Sequence, residues 1–282
     1  MTASVLQVCE FDEGILMKPN RLFQIAFGVV AAFAMFGGLT ASAAANDSHT
    51  EKVVASFLKH IASLDSIADS QKLEIKKTVG EVGLKSPDAV TEGLIQLYPK
   101  YSQAVESSDT ESVETAVELL LPLAESDDKF LAADASFYLA RTLMNDERFE
   151  DAMPRLEKLI GDLGDFTVHQ GNALYFIGVA QAGLLRNDDA VQSFMRFLQF
   201  NPDAPERLRV SAWRQVQQIQ SIREGKLDDV YQRMDFSRRR LELIETDEVT
   251  QTEQDKIVKM LTALIKEEEK KECSSNCKKG GT

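Results

Sequence analysis

Histidine, cysteine and tryptophan are scarce in this chain, at three, three and one residue in 282. His49, His60 and His169 fall in no HExxH or HxH spacing, so the simplest zinc and acid–base histidine sites are missing. No G-x-S-x-G motif and no dinucleotide-binding glycine fingerprint occur. Gly80, Gly83 and Lys85 are spaced wrongly for a phosphate loop, and no strand leads into them. Excess positive charge is also lacking: 45 acidic residues against 32 basic ones leave a formal charge of -13. A field of that sign repels phosphate backbones and anionic lipid, which excludes nucleic acid as the expected partner. With no catalytic, cofactor or metal constellation, the expectation is a protein that is not an enzyme and carries no cofactor.

The best-defined local signal lies near the N-terminus. Lys18 and Arg21 precede an apolar run from Leu22 to about Phe36, followed by Gly37, Gly38 and TASAAA. This order of basic, apolar and small residues reads as an export signal with cleavage at Ala41–Ala43 or Ala43–Ala45, its true start at Met17 after an acidic leader. Uncharged residues 22–45 are long enough for an inner-membrane anchor as the alternative. Export places the chain in the periplasm, where a disulfide survives.

Beyond residue 45 nearly every segment repeats its apolar residues at helical spacing, and no period-two strand appears. Val53, Val54, Phe57, Leu58, Ile61 and Leu64 share one helical face, and a more charged stretch follows from Asp69 to Val82. Ser86, Pro87 and Asp88 read as a helix start, by side-chain capping, fixed φ and acidic charge respectively, and that helix stops near Pro99. From there the chain repeats itself. Leu139, Ala140, Ala152, Leu156 and Leu159 recur 38 residues later as Ile177, Gly178, Ala190, Phe194 and Phe197. Fainter copies carry Ala104, Ala116, Leu120 and Leu123 before them, and Trp213, Val216, Gly225, Val230 and Met234 after. Small residues at Ala140, Ala152, Gly178 and Ala190 are expected where the two helices of a hairpin touch, Gly178 against Ala190. Pro122 and Pro154 fall inside second helices, predicting kinks or later helix starts.

These residues resemble the tetratricopeptide repeat, a helix-turn-helix unit of about 34 residues, and the chain is similar to exported bacterial proteins that contain it. Leu174, Ile177, Gly178, Ala190, Phe194 and Pro202 match the family pattern; Gln181 and Phe197 depart from it where Tyr and Ala are usual. The resemblance implies an all-α, tetratricopeptide-like solenoid of three to four hairpins whose first helices line a concave protein-binding groove. Mapped onto this chain, the groove would be lined by Asp134, Phe137, Arg141 and Met144, then Asn172, Tyr175 and Val179, then Arg214 and Gln218. Phe137 and Tyr175 could equally pack on a neighbouring helix.

The expected organisation is a leader and signal at 1–45, N-terminal helices at 46–100, repeats at 101–245 (clearest at 133–202), an amphipathic helix at 246–272 and a tail at 273–282. The stripe Ile257, Met260, Leu261, Leu264 and Ile265 is too short for an isolated helix, so it must dock, either capping the last repeat or pairing with another copy. Cys273 and Cys277 are spaced to close a small disulfide loop or to link two chains, and are too few for structural zinc. Arg233, Arg238, Arg239 and Arg240 alternate with Asp235, Glu242 and Glu245, which reads as ion pairs within one helix, an acidic partner surface being the alternative. The function expected is a non-catalytic scaffold of the cell envelope that binds a peptide or protein segment. The alternatives are an oligomeric envelope-assembly factor that associates through its C-terminal helix, and an enzyme with no recognisable motif.

Overall fold

The structure, a computed structural model, describes the backbone of residues 39–110 and 112–277 and the side chains of residues 49–110 and 112–273. Met17, Lys18, Arg21 and the apolar run to Phe36 lie outside the described residues. Among the described residues there is no strand, and no helix is long and apolar enough to cross a membrane.

Three helices open the chain: α1 (Leu39–Ser63), α2 (Asp69–Val82) and α3 (Asp88–Leu97). Val53, Val54, Phe57 and Ile61 are the buried face of α1, as their spacing predicts, and the Phe57 ring meets Phe130 edge-on at 5.4 Å. Ser86 Oγ accepts the Asp88 N–H at 3.2 Å, so the helix-start reading holds there. Then come α4 (Pro99–Thr110), α5 (Val113–Ala124), α6 (Lys129–Asn145), α7 (Phe149–Ile160), α8 (Gln170–Gly183), α9 (Asn187–Phe200), α10 (Glu206–Ser221), α11 (Leu227–Glu242) and α12 (Glu248–Cys277). From α2 to α10 each helix packs on the next, which makes the molecule a helical-repeat solenoid.

The 38-residue repeat is written in the backbone as well as in the core. Just past the end of α6 Glu147 stands at φ 56°, and just past the end of α8 Leu185 stands at φ 60°. At each elbow the following N–H reaches back five residues, Arg148 to the Leu143 carbonyl at 2.9 Å and Arg186 to the Gln181 carbonyl at 2.8 Å. This is the Schellman closure of a helix C-terminus, achieved here without glycine. The first turn of the next helix repeats too, for Arg148 pairs with Asp151 and Arg186 with Asp189. A third copy of the elbow stands at Ile244, φ 61°, where the Glu245 N–H bonds the Arg240 carbonyl at 2.7 Å.

That third elbow corrects the expected fourth hairpin. Its second helix was to be α11, packed on α10 through Trp213, Val216, Val230 and Met234. Instead α11 pairs with α12, while Trp213 and Met234 are each 52% exposed. Gly225, at φ +70°, turns the chain away after α10, and a cleft of about 710 Å³ separates the end of α10 from the start of α11. Accordingly α12 docks on α11, the second helix of the last expected copy, burying Ile257.

Small residues do sit at the hairpin contacts, since Ala140, Ala152 and Ala190 are fully buried. The atoms nearest Gly178 belong to Phe194: a Cβ there would lie 2.8 Å from its ring, itself fully buried. The glycine makes room for an aromatic ring lying against the α8 backbone, one turn beyond Ala190. Gly178→Ala is therefore expected to cost about 1–3 kcal/mol through overpacking, read as a lowered melting temperature with unchanged far-UV dichroism. Pro122 and Pro154 lie inside continuous helices, α5 and α7, and delay neither start. Each withholds an N–H from the carbonyl four residues back.

Candidate protein-binding surface

The first helices of the hairpins touch one another along the stack, α4 on α6, α6 on α8 and α8 on α10, whereas α5, α7 and α9 pack mainly on first helices. A row built this way curves with its first helices inside, so these helices present the inner face.

The closeness of that row decides which expected groove residues are open. Asp134, Phe137 and Met144 are 2%, 5% and 5% exposed and face neighbouring helices rather than a groove. Phe137 stacks on His169 with ring centroids 3.9 Å apart. Arg141, half-buried, donates to Ser108 and Asp109 on α4 and lies over the Tyr138 ring. Tyr175 is half-buried among Phe176, Phe194 and Phe197, and its hydroxyl meets Ser211 Oγ of α10 at 2.8 Å. Asn172 and Val179 are half-buried, and Arg214 and Gln218 are exposed.

Asp134 instead joins three repeats. One carboxylate oxygen accepts the Tyr101 hydroxyl of α4 at 2.6 Å, and the other lies 3.0 Å from His169 Nε2 at the start of α8. Burial, then the charge of Asp134, pushes the Tyr101 hydroxyl well above its ordinary pKa. All three groups are under 5% exposed, which bars a substrate and leaves a tie between helices. A second such set stands at the N-terminal end. Asp128 caps α6 through the Phe130 and Leu131 N–H groups, accepts the Tyr98 hydroxyl at 2.6 Å and lies 3.0 Å from His60 Nε2. Burial alone would raise the Asp128 carboxyl; the hydrogen bonds from Tyr98 and His60 outweigh it and hold the group below its usual range. Two Tyr–Asp–His sets were not foreseen, because their members lie 30 or more residues apart in the chain.

The arginine cluster also does more than stabilise one helix. Arg239, 2% exposed, grips the Glu150 carboxylate of α7 with both terminal nitrogens at 2.7 and 2.8 Å and lies between the Phe149 and Phe236 rings. Arg240 reaches Glu150, Asp247 and Thr250. Arg233 bridges Asp229 and Glu253 of α12, and only Arg238 keeps its pairs chiefly within α11, to Asp235 and Glu242. The α11–α12 hairpin is thus clamped by charge onto the α6–α7 elbow.

Cys273 is exposed with a free thiol, and the Cys277 side chain lies outside the described residues. Among the described residues no group of three or more His, Cys, Asp or Glu side chains is placed to hold a metal ion. Trp213, read from the sequence as part of a fainter repeat copy, lies on the open face of α10. The signal was in the helix itself: Arg207, Val210, Arg214 and Gln217 lie opposite the buried Ala212, Val216 and Ile219. No family model, curated protein or solved structure matches the chain, so this surface stands on its own geometry.

Proposed function

We propose that the chain is a non-catalytic interaction module of the cell envelope, a tetratricopeptide-like solenoid that binds a segment of another protein along its inner face. The observation that carries this reading is the continuous row of first helices. Each hairpin packs chiefly on the next and leaves Asn172, Val179, Arg214 and Gln218 at least partly open along one side. Export on the signal at residues 17–45 accords with the fold. Both cleavage points precede Val53, Val54, Phe57 and Ile61, the buried apolar residues of α1 among those whose side chains are described.

The test is affinity capture from cell-envelope extract with the chain from Asn46. A variant carrying Asn172→Ala, Arg214→Ala and Gln218→Ala, with native dichroism and melting temperature, is run beside it. A protein retained by the native chain and lost by the variant supports the reading. A protein retained equally by both moves binding off the inner face, and capture by neither contradicts the proposal.

A further inference from the structure

Among the described residues every other arginine stands in an ion pair, whereas Arg196, Arg207, Arg209 and Arg214 stand in none. In a chain with 45 acidic residues this is an unusual concentration of uncompensated positive charge. Three of the four lie on α10, where Glu206 in the first turn is the only acid. Helical spacing puts Arg207, Val210 and Arg214 on one side of α10, with Trp213 beside them and the buried Ala212, Val216 and Ile219 behind. Val210 is 40% and Trp213 52% exposed. After α10 the chain turns at Gly225, and α11 pairs with α12 instead of packing along α10.

We infer that this face of α10 is the docking site for an acidic polypeptide segment carrying apolar side chains. The inference rests on the peptide-binding reading above and specifies the partner's chemistry and its seat. Carboxylates on the partner match the free guanidinium groups, which prefer planar bidentate acceptors. An apolar side chain covers Trp213 and Val210, and Trp with Arg is the composition that concentrates binding energy. A net charge of -13 opposes longer-range attraction of DNA or an anionic bilayer, whereas a short acidic segment needs only the local field.

Trp213 is the only tryptophan, so its emission reports this face alone. The probes are three short, labelled, tryptophan-free peptide pools containing Leu and Phe with Glu and Asp, with Lys and Arg, or with Ser and Gln. The expected result is that the acidic pool binds by anisotropy, shifts Trp213 emission to shorter wavelength and weakens with added salt. Arg207→Gln with Arg214→Gln should then lower affinity by at least about tenfold, the factor equivalent to 1.4 kcal/mol. Arg148→Gln with Arg186→Gln removes the same charge from two ion-paired sites and should change affinity little. An equal loss from both double variants would reduce the effect to net charge and overturn the inference. Binding of the neutral or basic pool without a Trp213 response would leave the peptide-binding reading standing and end this one; binding of no pool would contradict both. Two further results would also overturn it: preferential binding of phosphatidylglycerol vesicles or duplex DNA through the same arginines, or a native dimer that Trp213→Ala makes monomeric.

Discussion

Replacing Glu150 by alanine is expected to release the α11–α12 hairpin while the stack from α1 to α10 stays folded. Glu150 accepts from Arg239 and Arg240, whose side chains are 3% and 8% exposed, so its loss leaves two nearly buried guanidinium groups short of their shared carboxylate. Removing one partner of a buried pair costs about 3–5 kcal/mol, and the lower end applies here because Glu150 is itself 35% exposed. Little apolar burial remains to hold the hairpin once the clamp opens, chiefly Val230, Phe236 and Ile257. Amide hydrogen exchange should therefore speed up across α11 and α12 and stay slow in α6 and α8, and proteases should cut near Gly225. Glu150→Gln, which keeps the shape and loses the charge, should fall between. Unchanged exchange in α11 and α12 of the alanine variant would show that the clamp does not hold the hairpin.

Acid should act on the same contact. Burial alone would raise the Glu150 carboxyl, but the hydrogen bond from Arg239 and the charges of Arg239 and Arg240 outweigh it and hold the group below its ordinary 4.5. A carboxyl lowered in the folded state contributes stability that is present above its unfolded value. That contribution is lost as pH falls through the lower folded value. The hairpin should thus loosen first as pH drops below about 4.5, and the Glu150→Ala variant should lose this pH dependence. High salt should mimic acid weakly, because the Arg239 contact is shielded from solvent.

Asp134→Ala should produce the largest global loss of stability. It strands the Tyr101 hydroxyl and His169, each under 5% exposed, in a core where His169 Nδ1 already has no partner. An unsatisfied buried polar group costs about 1–3 kcal/mol, more where charge is involved, which places the substitution at roughly 3–5 kcal/mol. Because Asp134 ties α4, α6 and α8, the urea midpoint should fall with an unchanged slope, the mark of a cooperative loss. Tyr101→Phe removes one donor and leaves the contact with His169, so roughly 1.5–3 kcal/mol is expected, as for a hydrogen bond to an ionised group. Asp134→Asn should cost less than alanine, since its amide can accept from Tyr101 and donate to His169. Equal effects of Asn and Ala would show that packing, not hydrogen bonding, matters at this position.

Periodicity carried much of the architecture. The Leu139/Ile177 and Ala140/Gly178 pairs located two hairpins whose elbows, Glu147 and Leu185, adopt the same left-handed turn 38 residues apart. The elbows themselves were silent, because neither carries the glycine that marks such a turn. The fourth hairpin was misassigned because α10 and α11 both keep helical apolar spacing, and nothing local records which helix each one faces. Three groove positions were misread for a related reason. The first helices touch, so Asp134, Phe137 and Met144 face neighbouring helices, and a one-helix pattern does not separate the inner face from the flank. Charge networks were least legible. Arg239 and Glu150 are 89 residues apart, a distance at which sequence spacing says nothing about contact.

The measurement that most directly tests the central claim is in-cell photo-crosslinking with a reactive residue placed singly along the row of first helices and on the second helices. Gln218 and Asn172 sample the first set; Glu157 of α7 and Gln192 of α9, both exposed, sample the second. Discrete adducts with another protein from Gln218 and Asn172, and none from Glu157 or Gln192, are the result expected of a solenoid that binds along its inner face. Adducts from Glu157 and Gln192 alone would contradict that account.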